Sequence, residues 1–426
     1  MKLKLLIIIL LTLTFSVSAQ NLKSFGDINY KDEVQTVLLH PTGFDLDKPV
    51  IFLNKMKEQL HLQFDIFADE APYLYYTFVH CDNQWHPTDL PKNDYLKGFI
   101  QEEIDDFTFS LNTFVNYVHY DLVFPTDNMM PKLSGNYLLV VTGENPNDIY
   151  LTRRFYVVED MARISATVPR YPFDLNLDTN KQEVDLEIAY PEMFNSRADQ
   201  YSSVTIQQNG RWDNAVFGLK PTYVYPDKLS YLNNAKTVFE SGNQFLRINT
   251  SNFENRPEKT KTVYREADGY VVTLFDDTKR SAHNYVDDQD LFGEKYIYLE
   301  REDFDATKEA DYAQVDFFLQ WPQYMIGKDV YILGAITDWR LDDNAKMEYD
   351  PNRRGYKKSL LLKQGYYDYM YAVRDNATGI TSVAPVNGDF WETNNRYYVF
   401  VYLFDPIENY DKLIGYTVIK SHLCRV

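Results

Sequence analysis

From Gln59 to Ile66 the chain alternates strictly. Leu60, Leu62, Phe64 and Ile66 point one way, while Gln59, His61, Gln63 and Asp65 point the other. A period of two predicts a half-buried β-strand. Aromatic-rich runs over 73–79, 117–124, 137–142 and 153–158 follow, separated by turn signals such as SGN and GENPND. Five short strands of this kind predict an antiparallel sandwich. No amphipathic helix competes with them.

The pattern then restarts twice. After Val158-Glu159-Asp160-Met161, strands are expected over 164–168, 184–188, 204–208, 245–248, 271–275 and 296–299. Asn209-Gly210 is a hairpin signal, and the charged stretch 254–261 reads as a loop. From about Ala310, alternation returns over 315–319, 329–333, 355–362, 366–373, 397–404 and 414–419, with DPNRRG and Gly365 as turn chemistry. The expected fold is all-β, a tandem of immunoglobulin-like or early-set sandwiches. Its expected segments are a signal peptide over 1–19, an N-terminal sandwich over 20–159, a middle sandwich with long loops over 160–309, and a C-terminal early-set-like sandwich over 310–426.

Composition sharpens this reading. In 426 residues there are 35 Tyr and 27 Phe, residue types that favour pleated, half-buried surfaces. The opening MKLKLLIIILLTLTFSVSAQ has a basic start at Lys2 and Lys4, an apolar stretch from Leu5 to Phe15, and small residues before Ala19. That is the grammar of a secretory signal peptide, so export is expected. No cysteine follows it to take a lipid. A net charge of −19 argues against nucleic acid and against anionic lipid. Cys81 and Cys424 are the only cysteines, so there is no disulfide framework. Whether the two pair is open.

The densest chemistry is HCDNQWHPTD, His80 to Asp89. Zinc needs three or four converging ligands, and no second Cys/His cluster exists to complete a set. A strand end, an Asp82-Asn83 turn and a packed Trp85 account for the segment. There is no G-x-S-x-G, H-E-x-x-H, C-x-x-C, Walker or G-x-G-x-x-G motif. Acidic doublets occur at Asp276-Asp277, Asp287-Asp288 and Asp342-Asp343. Neighbours on a strand face opposite ways, so a doublet does not make a glycosidase pair. No cofactor, metal ligand or catalytic residue is assigned.

The stretch Val330 to Val373 resembles the early-set sandwich of glycogen-binding modules, with Trp339 in the place of their turn Trp. Sugar-binding members stack aromatic faces on glucose rings. This resemblance puts Trp339 forward for glycan stacking, and an exported carbohydrate-binding protein using Trp339 and nearby aromatics is the alternative function; Trp339, Tyr366, Tyr367 and Trp391 are together the candidates for an exposed partner or glycan surface.

Seven segments taken in order carry a second resemblance. They are HCDNQW through Phe99, KLSGNYLL (Lys132 to Leu139), TRRFYVVED (Thr152 to Asp160), QNGRWDNA (Gln208 to Ala215), LKPTYV (Leu219 to Val224), SGNQFLRI (Ser241 to Ile248) and GDFWETNNRYYVFVYLFDP (Gly388 to Pro406). Together they resemble the type IX secretion system plug proteins of Bacteroidetes. The resemblance implies a non-enzymatic periplasmic protein. It would dock on a very large outer-membrane β-barrel translocon and close its periplasmic opening, held at the membrane by that protein partner alone. It makes His80, Asp82, Trp85, Tyr95, Gly135, Arg153, Arg154, Arg211 and Trp212 fold-determining signature residues. Arg153 or Arg154 is expected either to pair with a buried acid such as Asp82 or to lie exposed on an edge strand.

Overall fold

The computed structural model describes residues 26–53, 55, 58–174, 180–189, 198–254, 257–267, 269–301 and 304–421. The expected signal peptide and Cys424 lie outside them. Nearly every described element is a strand, and the strands form three two-layered units, each around its own apolar core.

The first unit runs through β1 (Ile28–Asn29), β2 (Val34–Pro41), β3 (Val50–Phe52), β4 (Leu60–Ile66), β5 (Leu74–Cys81), β6 (Leu96–Gly98), β7 (Glu102–Ile104), β8 (Phe107–Phe109), β9 (Val118–Phe124), β10 (Met129–Pro131), β11 (Gly135–Thr142) and β12 (Ile149–Val158). One sheet has the order β1-β12-β11-β5-β7, with β3 joining β12 in parallel; the other has the order β2-β4-β9-β8. The inward sets of the two sheets, such as Leu60, Leu62 and Phe64 against Phe78, Tyr137 and Phe155, interdigitate as the core.

The second unit joins Arg163–Thr167, Asp185–Ala189, Lys228–Ser230 and Tyr223–Val224 in one sheet. Its facing sheet holds Val216–Leu219, Ser202–Gln208, Arg396–Asp405 and Tyr410–Lys420. The last hairpin of the chain therefore closes the middle unit. The third unit takes Leu246–Asn249, Lys295–Ile297 and Lys328–Leu333 onto Gly365–Asp375. Facing them are Thr260–Glu266, Gly269–Leu274, Tyr312–Gln320, Gly355–Lys363 and Glu348–Asp350.

These pairings correct the expected segments 160–309 and 310–426. Strand Gly269–Leu274 pairs in parallel with Tyr312–Gln320 across the expected boundary, and 396–420 returns to residues 202–208. Alternation tells a strand which face to bury, not which strand to join, so partners distant in sequence are invisible to it. The expected loop over 254–261 is shortened likewise, because Thr260–Glu266 is a strand.

Strand β11 is buried along its whole length. Its inner face meets the first core. Its outer face, with Leu138 and Val140 beside Tyr156 and Val158 of β12, packs on Tyr398, Phe400, Tyr402 and Leu413 of the second unit. Tyr156 and Phe400 stack with centroids 4.1 Å apart.

Candidate functional site

The HCDNQW segment leaves β5 and folds into a tight loop around one carboxylate. Asp82 Oδ1 accepts the backbone N–H of Gln84 (2.8 Å) and of His86 (2.9 Å), while Oδ2 lies 3.2 Å from His86 Nδ1. This is turn chemistry of the Asx kind. It holds Trp85 at φ +71°, a left-handed conformation that costs a bulky residue about 1 kcal/mol. His80 is buried between Thr88 Oγ1 (3.0 Å) and the Ser134 carbonyl (3.2 Å), and burial pulls its pKa down to about 4. Gly135, at φ +139°, leaves room for that imidazole, because a Cβ there would strike it. Tyr95 packs on the same ring. Cys81 is buried, and burial pushes its thiol up to about 12.

The loop clamps one unit to another. Asn83 donates from its backbone to Asp411 (3.0 Å) and from its side chain to Ser203 (3.0 Å). Asn136 donates to the Asp82 carbonyl (2.9 Å) and accepts from Tyr402 (2.8 Å). Residues of the first unit thus reach both halves of the second unit's sheet.

Two neighbouring arginines of β12 make the next contacts, and one of them, Arg153, reaches the third unit. Arg154 stands with its guanidinium carbon 5.1 Å from the Trp85 ring centroid and 4.0 Å from that of Trp212, and reaches Asp27 at 3.5 Å. Arg153, from the other face of β12, is buried and bonds Asn29 (2.7 Å) and Asp338 (3.3 Å). Lys295 meets the same Asp338 at 3.0 Å. These partners correct the expected pairing with Asp82 and the expected exposed edge, because β12 is an interior strand. Arg211 closes a buried two-pronged pair on Asp213 (2.7 and 3.1 Å). An open cleft of about 510 Å³ lies over this junction, lined in part by Asp27, Arg154, Trp212, Arg340 and Arg374.

Trp339 sits at the foot of the cleft and is only 7% exposed. It packs edge-on against Phe245, and Gly210 and Gly293 leave the space that its indole fills. Asp338 and Trp339 both hold positive φ, +50° and +57°. Tyr367 is buried with its hydroxyl on the Lys363 carbonyl, and Tyr366 is half-buried beside Tyr298. Arg170 covers the Trp391 ring at 3.6 Å. The expected exposed aromatic surface is therefore corrected at Trp339 and Tyr367. A sugar platform needs a free ring face, and at Trp339 and Tyr367 the core occupies it.

A second junction went unread in the sequence. Asp65 of β4 points away from its own core and into the third unit, where Lys363 Nζ (2.7 Å), Tyr312 OH (2.6 Å) and His119 Nδ1 (2.6 Å) converge on it. All four side chains are buried. Lys363 also caps the Tyr117 ring at 4.1 Å and donates to the Thr307 carbonyl. Burial alone would raise the Asp65 carboxyl. The Lys363 charge and the His119 hydrogen bond outweigh it and hold the group below its usual range. Burial likewise works against His119, but hydrogen bonds to Asp121 and Asp65 raise it. A charge at the end of an apolar run, Asp65 near the end of LHLQFDI and Lys363 after the three leucines of GYKKSLLLK, was the available signal.

Asp290, pushed up to about 6 by burial, lies near Asp368 in the third unit. Their oxygens accept backbone N–H groups of Phe245, Phe292, Leu291 and Gly293, which pins loop to strand. What these arrangements do chemically is hold three bodies in one orientation.

The comparisons agree with that geometry. The family model for the Type 9 secretion system plug protein 1st domain matches residues 34–159, which is the first sandwich from β2 onward. The crystal structure of a hypothetical protein from Parabacteroides merdae ATCC 43184 superposes with a TM-score of 0.89 at 30% identity, covering 93% of this chain and 99% of that one. The C-terminal domain of the Streptococcus agalactiae AgI/II polypeptide BspA matches at 7% identity, over 90% and 97% of the two chains, with a TM-score of only 0.14. The C-terminal domain of the Streptococcus pyogenes antigen I/II-family protein AspA gives 6%, 91%, 98% and 0.16. Neither carries an argument. No curated protein matches in sequence. With the first sandwich matched by that model and all three units shared with a Bacteroidetes relative, the chain belongs to the type IX secretion system plug protein family, and its role lies in type IX secretion.

Proposed function

We propose that this chain is a non-catalytic periplasmic plug. It docks as one body on the periplasmic opening of the very large outer-membrane β-barrel translocon of the type IX system and closes it when no substrate is in transit. The observation that carries this reading is the pair of buried junctions. A body that obstructs a wide pore must not fold up under load, and here the ion pairs Asp65–Lys363 and Arg153–Asp338 tie the first sandwich to the third. The Asn83 and Asn136 contacts and the Tyr156–Phe400 stack tie it to the second. The net charge of −19 supports steering onto a basic barrel rim. The signal-peptide grammar supports export, and among the described residues no helix is long and apolar enough to cross a membrane.

The test is capture of the tagged mature chain from detergent-solubilised outer membranes, with co-purifying proteins identified by mass spectrometry. Recovery of a giant β-barrel in near-equal amount is expected. Recovery of the chain alone under mild detergent overturns the reading.

A further inference from the structure

Both sheets of the first sandwich end on the same side. One ends at β7 and the other at β8, and the chain crosses between them through Asp105-Asp106. Strand β8 pairs only with β9, with Phe107 opposite Tyr120 and Phe109 opposite Val118. The flanking ladder bonds, Asp121 N–H to the Asp106 carbonyl and Ser110 N–H to the Tyr117 carbonyl, lie one residue outside those pairs. Antiparallel pairs alternate. Phe107 and Phe109 are therefore the residues whose N–H and C=O face outward, and among the described residues no strand lies there.

Their side chains tell the same story. Tyr120 and Val118 belong to the sandwich core, so Phe107 and Phe109 lie on the core-facing side of the sheet. They project past its last strand, 42% and 50% exposed. The apolar face simply runs out into solvent. Leu111, half exposed, continues it. The edge is also held in place, because the Leu111 N–H bonds the Lys308 carbonyl and the Phe114 N–H bonds Asp311. An unpaired sheet edge presents N–H and C=O groups that can template another strand, and this short one also leaves two aromatic side chains exposed beside them.

We infer that β8 is a strand-docking edge. It accepts one extended, lysine- or arginine-bearing segment of the translocon barrel, which adds to the sheet beside Phe107 and Phe109. Charge selects that occupant. Glu103, Asp105 and Asp106 are exposed along the rim, and among the described residues none of them has an ion-pair partner. Added strands gain main-chain bonds along the edge and specificity from alternate side chains. This inference rests on the plug reading for the identity of the partner, but not for its chemistry.

The test places a photoreactive benzophenone amino acid at position 109 of the tagged full chain, with position 123 as control. Val123 is exposed on the opposite face of β9, away from the core. The protein is mixed with detergent-solubilised outer membranes, irradiated, and the adduct peptide sequenced. In parallel, Phe107→Asp/Phe109→Asp and Asp105→Lys/Asp106→Lys are compared with wild type for barrel capture, with thermal midpoints measured on each. The expected result is an adduct at 109, absent at 123, in a Lys- or Arg-bearing segment of the barrel. Each variant should weaken capture at least about tenfold, and the charge variant should fold like wild type. The same adduct on a different protein keeps the docking edge and overturns the plug reading. Barrel capture unchanged by either variant, or an adduct to a second copy of this chain, overturns the docking edge and leaves the plug reading standing.

Discussion

Lys363→Met is the perturbation that probes the construction of this molecule most sharply. The ammonium lies 2.7 Å from Asp65, and both side chains are 1% exposed. At that distance an effective dielectric of about 20 gives an attraction of roughly 6 kcal/mol. Methionine keeps the length and most of the packing, so its steric cost is about 1 kcal/mol or less. Asp65 retains His119 and Tyr312, which recover part of the loss. A net destabilisation of about 3–4 kcal/mol follows, within the usual range for breaking a buried pair. In urea, followed by tryptophan fluorescence and far-UV circular dichroism, the first midpoint should fall by about 1 M or more. The pair spans two sandwiches, so a single transition should also split in two. Adding Asp65→Asn removes the orphaned charge and should restore about 2 kcal/mol. A midpoint within about 0.3 M of wild type, or a double variant no better than the single one, would mean that the Asp65–Lys363 pair does not hold the two sandwiches together.

Other perturbations test the remaining contacts. Arg154→Lys keeps the charge but loses planar stacking on Trp85 and Trp212, so a loss of about 1–2 kcal/mol with a shift in tryptophan emission is expected. Gly293→Ala forces a Cβ at φ +84° against Trp339 and Phe245; about 2–4 kcal/mol should be lost in thermal or urea melts. Trp339→Ala should cost about 3–5 kcal/mol while soluble glucans leave wild-type fluorescence unchanged. His119 is raised between Asp65 and Asp121, with Lys363 opposing from the facing strand. Its stabilisation is complete below about pH 6.5 and is lost as pH climbs through the folded value. His119→Gln should therefore flatten the fall in melting temperature measured between about pH 6 and pH 9.

Much of the strand inventory was legible because a half-buried strand writes its own period. Residues 60–64 alternate in sequence and in burial alike. Strand β2 escaped because its burial recurs every third residue. A register shift between Gln35 and Leu38, with Thr36 at φ +48°, breaks the period there. Thr260–Glu266 escaped because it is a charged strand, largely open to solvent, whose start fell in the stretch 254–261 read as a loop. Pairing was beyond reach, since nothing local in 396–420 says that residues 202–208 will receive it. The signature residues around Trp85 were found by resemblance, but their partners Asp27 and Asp338 were not. Asp65 shows the deeper reason. Alternation placed it on the polar face of β4, and polar was read as solvated, yet another sandwich covers that face. Trp339 failed the opposite way, as a turn aromatic whose exposure depends on Gly210 and Gly293, far away or unremarkable in sequence.

A plug must obstruct its pore, and conductance reads that obstruction at the pore itself. The purified barrel would be inserted in a planar bilayer with its periplasmic side facing one chamber. Adding the mature chain to that chamber should cut single-channel conductance in discrete steps, and adding it to the other side should do nothing. Unchanged conductance while the chain is demonstrably bound to the barrel would mean that it does not plug the pore.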